Sequence, residues 1–142
     1  MMTGYLLDTN VISELRKGRR CDSRVARWHA TLAMDSTWLS VVVLAEIRRG
    51  IEQLRRKDPV QSMRLETWFR GLRQGYAARI LPIDEKVADR WGIINANDRL
   101  PYIDGFLAAT ALEHDLVLVT RNISDVQRCG VRLIDPFTFE SR

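Results

Sequence analysis

The sequence predicts an α/β sandwich with a mostly parallel central sheet, and three observations carry that expectation. Short apolar runs alternate with helical stretches along the whole chain. The runs are nearly continuous in apolar residues, as strands covered on both faces must be. Two of them stop abruptly in small polar residues, "LLDTN" at 6–10 and "VLVTRN" at 117–122.

Each element has its own local reason. "GYLL" at 4–7 reads as a short buried strand, and Val11 to Arg16 as a helix after the Asp-Thr-Asn turn. Ser23 to Met34 has helical periodicity with Asp22 or Ser23 as its cap, and "TWLS" at 37–40 is a second strand. Val42 to about Lys57 makes the next helix. Asp58 and Pro59 then supply an N-cap and a first helical residue, so another helix runs to about Ala77. "RILPI" at 79–83 is a third strand, and Asp84 caps a helix through about Ala96. A loop through Asp98 and Pro101 leads to a helix from about Ile103 to His114. "LVLVT" at 116–120 is the clearest buried strand, and "VRLI" at 131–134 adds a last one.

Composition narrows the class. A chain of 142 residues with 46% apolar content buries an ample core as a single domain, and no repeat or linker divides positions 1–142. Lys and Arg number 22 against 18 Asp and Glu, and the net charge of +4 is compatible with an anionic partner without requiring one. Cys21 and Cys129 stand far apart, and His29 and His114 are not in zinc spacing, which argues against a zinc site. No apolar run approaches about 18 residues, and the start lacks a secretory pattern. The expectation is a soluble, cytoplasmic protein with no membrane partner.

The acids concentrate the functional question. Ligands of open parallel sheets bind beyond the carboxyl ends of strands, and the Asp8 and Thr120 stops both lie at such ends. With Glu46 as reference, Gly50, Val43, Leu54, Ile47 and Ile51 fall roughly 40° to 140° around its helix, so Glu46 sits at the edge of the core-facing stripe. A solvated helix glutamate is the plain alternative. Asp104 heads the stripe formed by Leu107, Ala108, Ala111 and Leu112, although an acid in a first helical turn also serves simply as a cap. Asp125, in "VTRNISDV", is by itself an ordinary loop acid. Together, Asp8, Glu46, Asp104 and Asp125 would repel one another at one end of the sheet unless protons or a cation joined them. Mg²⁺, or Mn²⁺ in its place, suits such oxygen ligands.

The stretches "LLDTNVISEL", "LSVVVLAEIRRGI", "PYIDGFLAATALEHDLVLVTRN" and "SDV" occur in an order and spacing that resembles the PIN-domain ribonucleases, in particular toxins of the VapC and FitB type. The resemblance spans nearly the whole chain and implies a PIN-like, Rossmann-like fold. It implies that Asp8, Glu46, Asp104 and Asp125 are catalytic, metal-binding acids, with Thr9, Asn10, Thr120 and Asn122 in support. It further implies hydrolysis of RNA phosphodiester bonds by metal-activated water, a homodimer, and an antitoxin whose C-terminal tail covers the active site, in a heterotetramer or larger assembly. Two positions depart from the pattern. Gly105 stands where alanine is common, and Val126 where phenylalanine is common.

Other readings remain open at this level. A haloacid-dehalogenase-type phosphatase needs a second Asp two residues after the first, and Asn10 occupies that place. A phosphorelay receiver needs a late Lys where this chain offers Arg121. A non-catalytic PIN-like module that binds RNA or protein is compatible with the same acids. The basic runs Arg48, Arg49, Arg55, Arg56, Lys57 and Arg16, Lys17, Arg19, Arg20 flank the acid-bearing helices, and serve equally as a solvated face or an RNA contact. The four tryptophans, Trp28, Trp38, Trp68 and Trp91, are expected in packing rather than in base stacking.

Overall fold

The computed structural model describes residues 3–97 and 99–140. Asp98, assigned above to a loop, lies outside the described residues. Five strands form one parallel sheet in the order β3-β2-β1-β4-β5, and seven α-helices flank it among the described residues. The strands are β1 (Tyr5–Leu7), β2 (Thr37–Ser40), β3 (Ile80–Leu81), β4 (Val117–Val119) and β5 (Leu133–Ile134). The predicted α/β sandwich is therefore present, and every strand pair runs parallel.

The helices are α1 (Thr9–Leu15), α2 (Ser23–Ala30), α3 (Val41–Lys57), α4 (Pro59–Gly75), α5 (Glu85–Asn97), α6 (Tyr102–Glu113) and α7 (Ile123–Val126). Caps fix most of their starts. Asp22 accepts from the amides of Arg24 and Val25, Ser40 from Val42, Asp58 from Gln61 and Asp84 from Val87, each satisfying a donor that the first helical turn leaves free. α2 stops four residues before the expected end, because Thr31 turns its hydroxyl onto the Trp28 carbonyl and the amides of Thr31 and Leu32 take three-residue bonds. β3 is two residues long because Pro82 has no amide to donate to a ladder. α7 was not foreseen; four residues show no periodicity.

The core lies on both faces of the central strands. Leu6, Leu7, Leu118 and Val119 are at most 1% exposed, and each such side chain contributes about 1.5–3 kcal/mol on burial. From α3, the predicted stripe of Val43, Ile47 and Ile51 is buried, and from α6 Leu107, Ala108 and Ala111 are buried. Trp28 is buried and meets Tyr5 edge to face at 5.7 Å, while Trp38 and Trp68 pack against the core, so these aromatics serve packing as expected. Glu14 ties α1 to α2 by accepting from the Asp22 amide and from Lys17. No helix among the described residues is long and apolar enough to cross a membrane.

Candidate active site

Strand register brings the first two acid-bearing turns together. Leu7 pairs with Val119, so the next residues, Asp8 and Thr120, leave the sheet side by side. The Asp8 amide donates to the Val119 carbonyl at 2.9 Å, and the Thr120 hydroxyl donates to Asp8 Oδ2 at 2.7 Å. Asp8 is only 5% exposed. Its other oxygen accepts from the Thr9 amide at 2.7 Å, and the Asn10 amide group reaches Oδ2 at 3.4 Å. Asp8 thus serves as the N-cap of α1 as well as facing the pocket. Both explanations of an acid at a strand end hold at once.

Glu46 enters from α3, whose start beyond β2 is capped by Ser40. The Thr9 hydroxyl donates to Glu46 Oε1 at 2.6 Å, fixing the glutamate over the start of α1. Asp104 enters from the first turn of α6 and makes no side-chain hydrogen bond among the described residues. A cavity of about 430 Å³ is lined by Asp8, Thr9, Asn10, Ser13, Glu46, Pro101, Ile103, Asp104 and Asn122. Three of the four predicted acids therefore share one lining. Asp125, on α7, is not part of it, although its charge acts on Asp104. Buried Val126 anchors the turn that carries Asp125, so the smaller side chain still does that task.

Of the supporting residues, Thr9 and Asn10 line the cavity, and Thr120 lies buried behind it on Asp8. Asn122 lines it too and donates its amide to Thr120 Oγ1 at 3.0 Å, completing a chain from Asn122 through Thr120 to Asp8. Sequence reasoning missed Ser13, Pro101 and Ile103. Ser13 follows Thr9 by one helical turn, a spacing that places both on one face and could have revealed it.

The pocket is electrostatically frustrated. Burial raises the Asp8 carboxyl above its usual range, opposed by the Thr120 and Thr9 hydrogen bonds and assisted by the Glu46 charge. Burial, then the charges of Asp8, Asp125 and Glu46, push Asp104 up to about 6. No lysine, arginine or histidine among the described residues lines the cavity to relieve this. Among the described residues, no three acid, histidine or cysteine side chains stand in a ready-made metal cluster, and Thr9 and Thr120 each hold one of the carboxylates by a hydrogen bond. The donor chemistry nevertheless fits a hard divalent cation. Every polar group in the lining offers oxygen or an amide, and none offers sulfur or imidazole.

The PIN domain profile matches residues 5–125 of the chain. The chain belongs to the PIN domain family. Its relatives include proteins named FitB and VapC. It is 34% identical over 139 residues to Toxin FitB of Neisseria gonorrhoeae, covering 93% of this chain and 97% of that protein. It is 30% identical to the VapC ribonuclease Y4jK of Sinorhizobium fredii, covering 93% and 96%. The crystal structure of FitAcB from Neisseria gonorrhoeae matches with a TM-score of 0.81 at 33% identity, over 95% of this chain and 99% of that one. DNA-bound VapBC from Salmonella typhimurium matches at 0.76 and 25% identity, over 95% and 99%. The PIN fold predicted from the motifs is thus the fold observed.

The basic runs fare differently from one another. Arg48 donates two parallel bonds to Glu66 at 2.7 and 2.8 Å, and Arg55 is held by Glu52 and Glu66. These two guanidinium groups are occupied by carboxylates of α3 and α4. Arg16 stacks over Trp68 at 5.8 Å, beside a groove that continues from the acidic cavity through Thr9, Ser13 and Glu46 to Ile47, Ile51 and Leu65.

Proposed function

We propose that this PIN-domain chain is a Mg²⁺- or Mn²⁺-dependent endoribonuclease and the toxin of a type II toxin–antitoxin pair. One observation carries the reading: Asp8, Glu46 and Asp104 line a single cavity to which no cationic side chain among the described residues belongs, and Asp104 is pushed up to about 6 by burial and its acidic neighbours. A divalent ion relieves that repulsion more completely than protons do at neutral pH. Asp8, Glu46 and Asp104 would hold it, with Asp125 adding charge from the rim. When bound, such an ion polarises a phosphodiester and makes water a competent nucleophile near neutral pH.

The chain's own residues have separable tasks in this scheme. The hydrogen bonds from Thr120 and the Thr9 amide oppose the upward push of burial on Asp8 and aim its carboxyl into the cavity. The Thr9 hydroxyl sets the rotamer of Glu46, and Asn10 braces Asp8 while accepting from the Arg121 amide. Asp104, whose side chain makes no hydrogen bond among the described residues, is the carboxylate freest to meet an incoming cation. Among the described residues no histidine or lysine lines the cavity to catalyse attack by a ribose hydroxyl, which favours water as the nucleophile, and the family resemblance implies a 5′-phosphate product.

The relatives FitAcB and VapBC are solved as complexes, and the pocket suits a similar partner here. The groove beside Glu46 is lined by Ile47, Ile51, Leu54, Leu65 and Trp68, a surface on which the tail of an antitoxin could lie and reach the acids. A basic side chain from that tail would neutralise the carboxylates in place of the metal. The proposal includes a homodimer of this chain within that complex, as the family resemblance implies.

The test is cleavage of a mixed RNA pool by the purified chain. Cleavage that requires Mg²⁺ or Mn²⁺, stops with EDTA and leaves 5′-phosphate ends is the expected result. Metal-independent cleavage with cyclic phosphate ends would overturn the chemistry, and no cleavage under any metal would leave a binding module as the better description.

A further inference from the structure

α6 carries Asp104, yet nothing conventional holds its start. Its N-cap, Pro101, supplies no side-chain hydrogen bond, and Asp104 makes none among the described residues. The first turn is instead gripped from α5, which packs along α6. The Trp91 ring stacks nearly parallel on Tyr102 at 5.4 Å and on Phe106 at 5.3 Å, one helical turn apart on α6. Between them lies Gly105. A Cβ placed there would come within 2.9 Å of Trp91 Nε1, 3.1 Å of Trp91 Cδ1 and 2.8 Å of Asn95 Nδ2. Real Cβ contacts do not reach 3.0 Å, so the backbone approaches as closely as only glycine permits. Neither neighbour yields easily. The indole is locked by two stacks, and Asn95 Nδ2 donates to the Trp91 carbonyl at 3.0 Å while its Oδ1 accepts from the Leu100 amide at 3.2 Å. Asn95 thereby also ties α5 to the turn that launches α6. Trp91 Nε1 is buried and finds no acceptor among the described residues, a cost accepted for the close packing.

We propose that Gly105, Trp91 and Asn95 form a positioning device that sets the depth and direction from which Asp104 enters the acidic cavity. None of the three touches a substrate or an ion. They act through α6, whose first turn they seat against α5, so that Asp104 comes within reach of Asp8 and Glu46. The proposal rests on the reading of Asp104 as a metal-binding acid, and it has a readout independent of that reading. A Gly→Ala change inside a helix ordinarily favours the helix, so here the same change pits helix propensity against the seat.

The experiment compares wild type, Gly105→Ala, Gly105→Ala with Trp91→Leu, and Asp104→Asn. Mn²⁺ affinity is measured by calorimetry, and crystal structures give the Asp104–Asp8 separation. Gly105→Ala is expected to remain folded, to displace Asp104 from Asp8, and to weaken Mn²⁺ binding about 10- to 100-fold, the size of effect seen when outer supports of a metal site are lost. Removing the indole in the double variant makes room for the new methyl but also takes away the ring that seats the first turn of α6, so Asp104 should stay displaced and the affinity reduced. An unmoved Asp104 and unchanged affinity in Gly105→Ala would overturn the positioning role, as would wild-type affinity and an undisplaced Asp104 in the double variant that lacks the Trp91 ring. Equal Mn²⁺ binding by wild type and Asp104→Asn would sink the metal reading instead, while the Asp104 displacement in Gly105→Ala would still report on the seat.

Discussion

Helix α3 carries carboxylates into two opposite electrostatic worlds. Toward the sheet, Glu46 joins Asp8 and Asp104 in a cavity with no cation among the described residues of its lining, and the two aspartates are raised above their usual range. Toward α4, Glu52 and Glu66 are enclosed by Arg48 and Arg55, and their carboxyls are lowered, Glu66 to about 2. The partners of Glu66 are side chains on the same pair of helices, so the protein completes that group itself. The cavity is left incomplete. An acid cluster kept under repulsion stores binding energy for a cation, whereas a paired cluster has none to offer.

Substituting Asp104 should break the contrast most sharply. Asp104→Asn keeps the shape and removes one repelling charge, so metal-dependent RNA cleavage is expected to fall about 10²- to 10³-fold, while the melting temperature at neutral pH holds or rises. Retained cleavage in a nuclease assay would show that the cavity's charge is incidental.

Acid titration sharpens the same contrast through opposite signs. Asp104 has its pKa raised from 3.8 to about 6, so between those values the folded, metal-free chain holds a proton that the unfolded chain has lost. Stability from this group therefore declines as pH rises through that window. Glu66 is lowered from 4.5 to about 2, so its contribution is present above its unfolded value and is lost as pH falls through about 2. Because Asp104 is half-buried and partly screened, calorimetric scans should show a difference of only a few degrees between wild type and Asp104→Asn at pH 7, closing below about pH 4. A difference that persists in acid would assign it to packing.

The smallest effect is expected on the paired side. Glu66→Gln breaks the two-pronged contact with Arg48, but the group is solvated, and such pairs add little. Melting should shift by about two degrees or less, and RNA cleavage should be unchanged. A large loss of cleavage on this substitution would mean that the α3–α4 arginines, once released or restrained, matter to RNA after all.

Much of this architecture was legible in the chain. The apolar runs ending at Asp8 and Thr120 announced adjacent strand ends, and Leu7 indeed pairs with Val119. The phase of Leu107, Ala108 and Ala111 pointed Asp104 inward, and the cavity lining contains it. The α6 start came out one residue early, at Tyr102, because Tyr102 belongs to the stack with Trp91. The basic run on α3 was ambiguous because a charged residue's partner is a matter of facing helices. Arg48 meets Glu66, 18 positions away, through the α3–α4 packing.

Periodicity and capping residues, which act within one or two helical turns, by themselves determined most of the succession of strands and helices and the inward phase of Asp104. Only the tertiary structure decided how the acids are held. Thr9 reaches Glu46 across 37 positions, Thr120 reaches Asp8 across 112, and a Cβ on Gly105 would lie 2.9 Å from Trp91 Nε1. Such contacts turn on tenths of an ångström between elements remote in the chain. Local propensity carries no information at that scale, because packing and charge compensation are settled only when the layers close on one another.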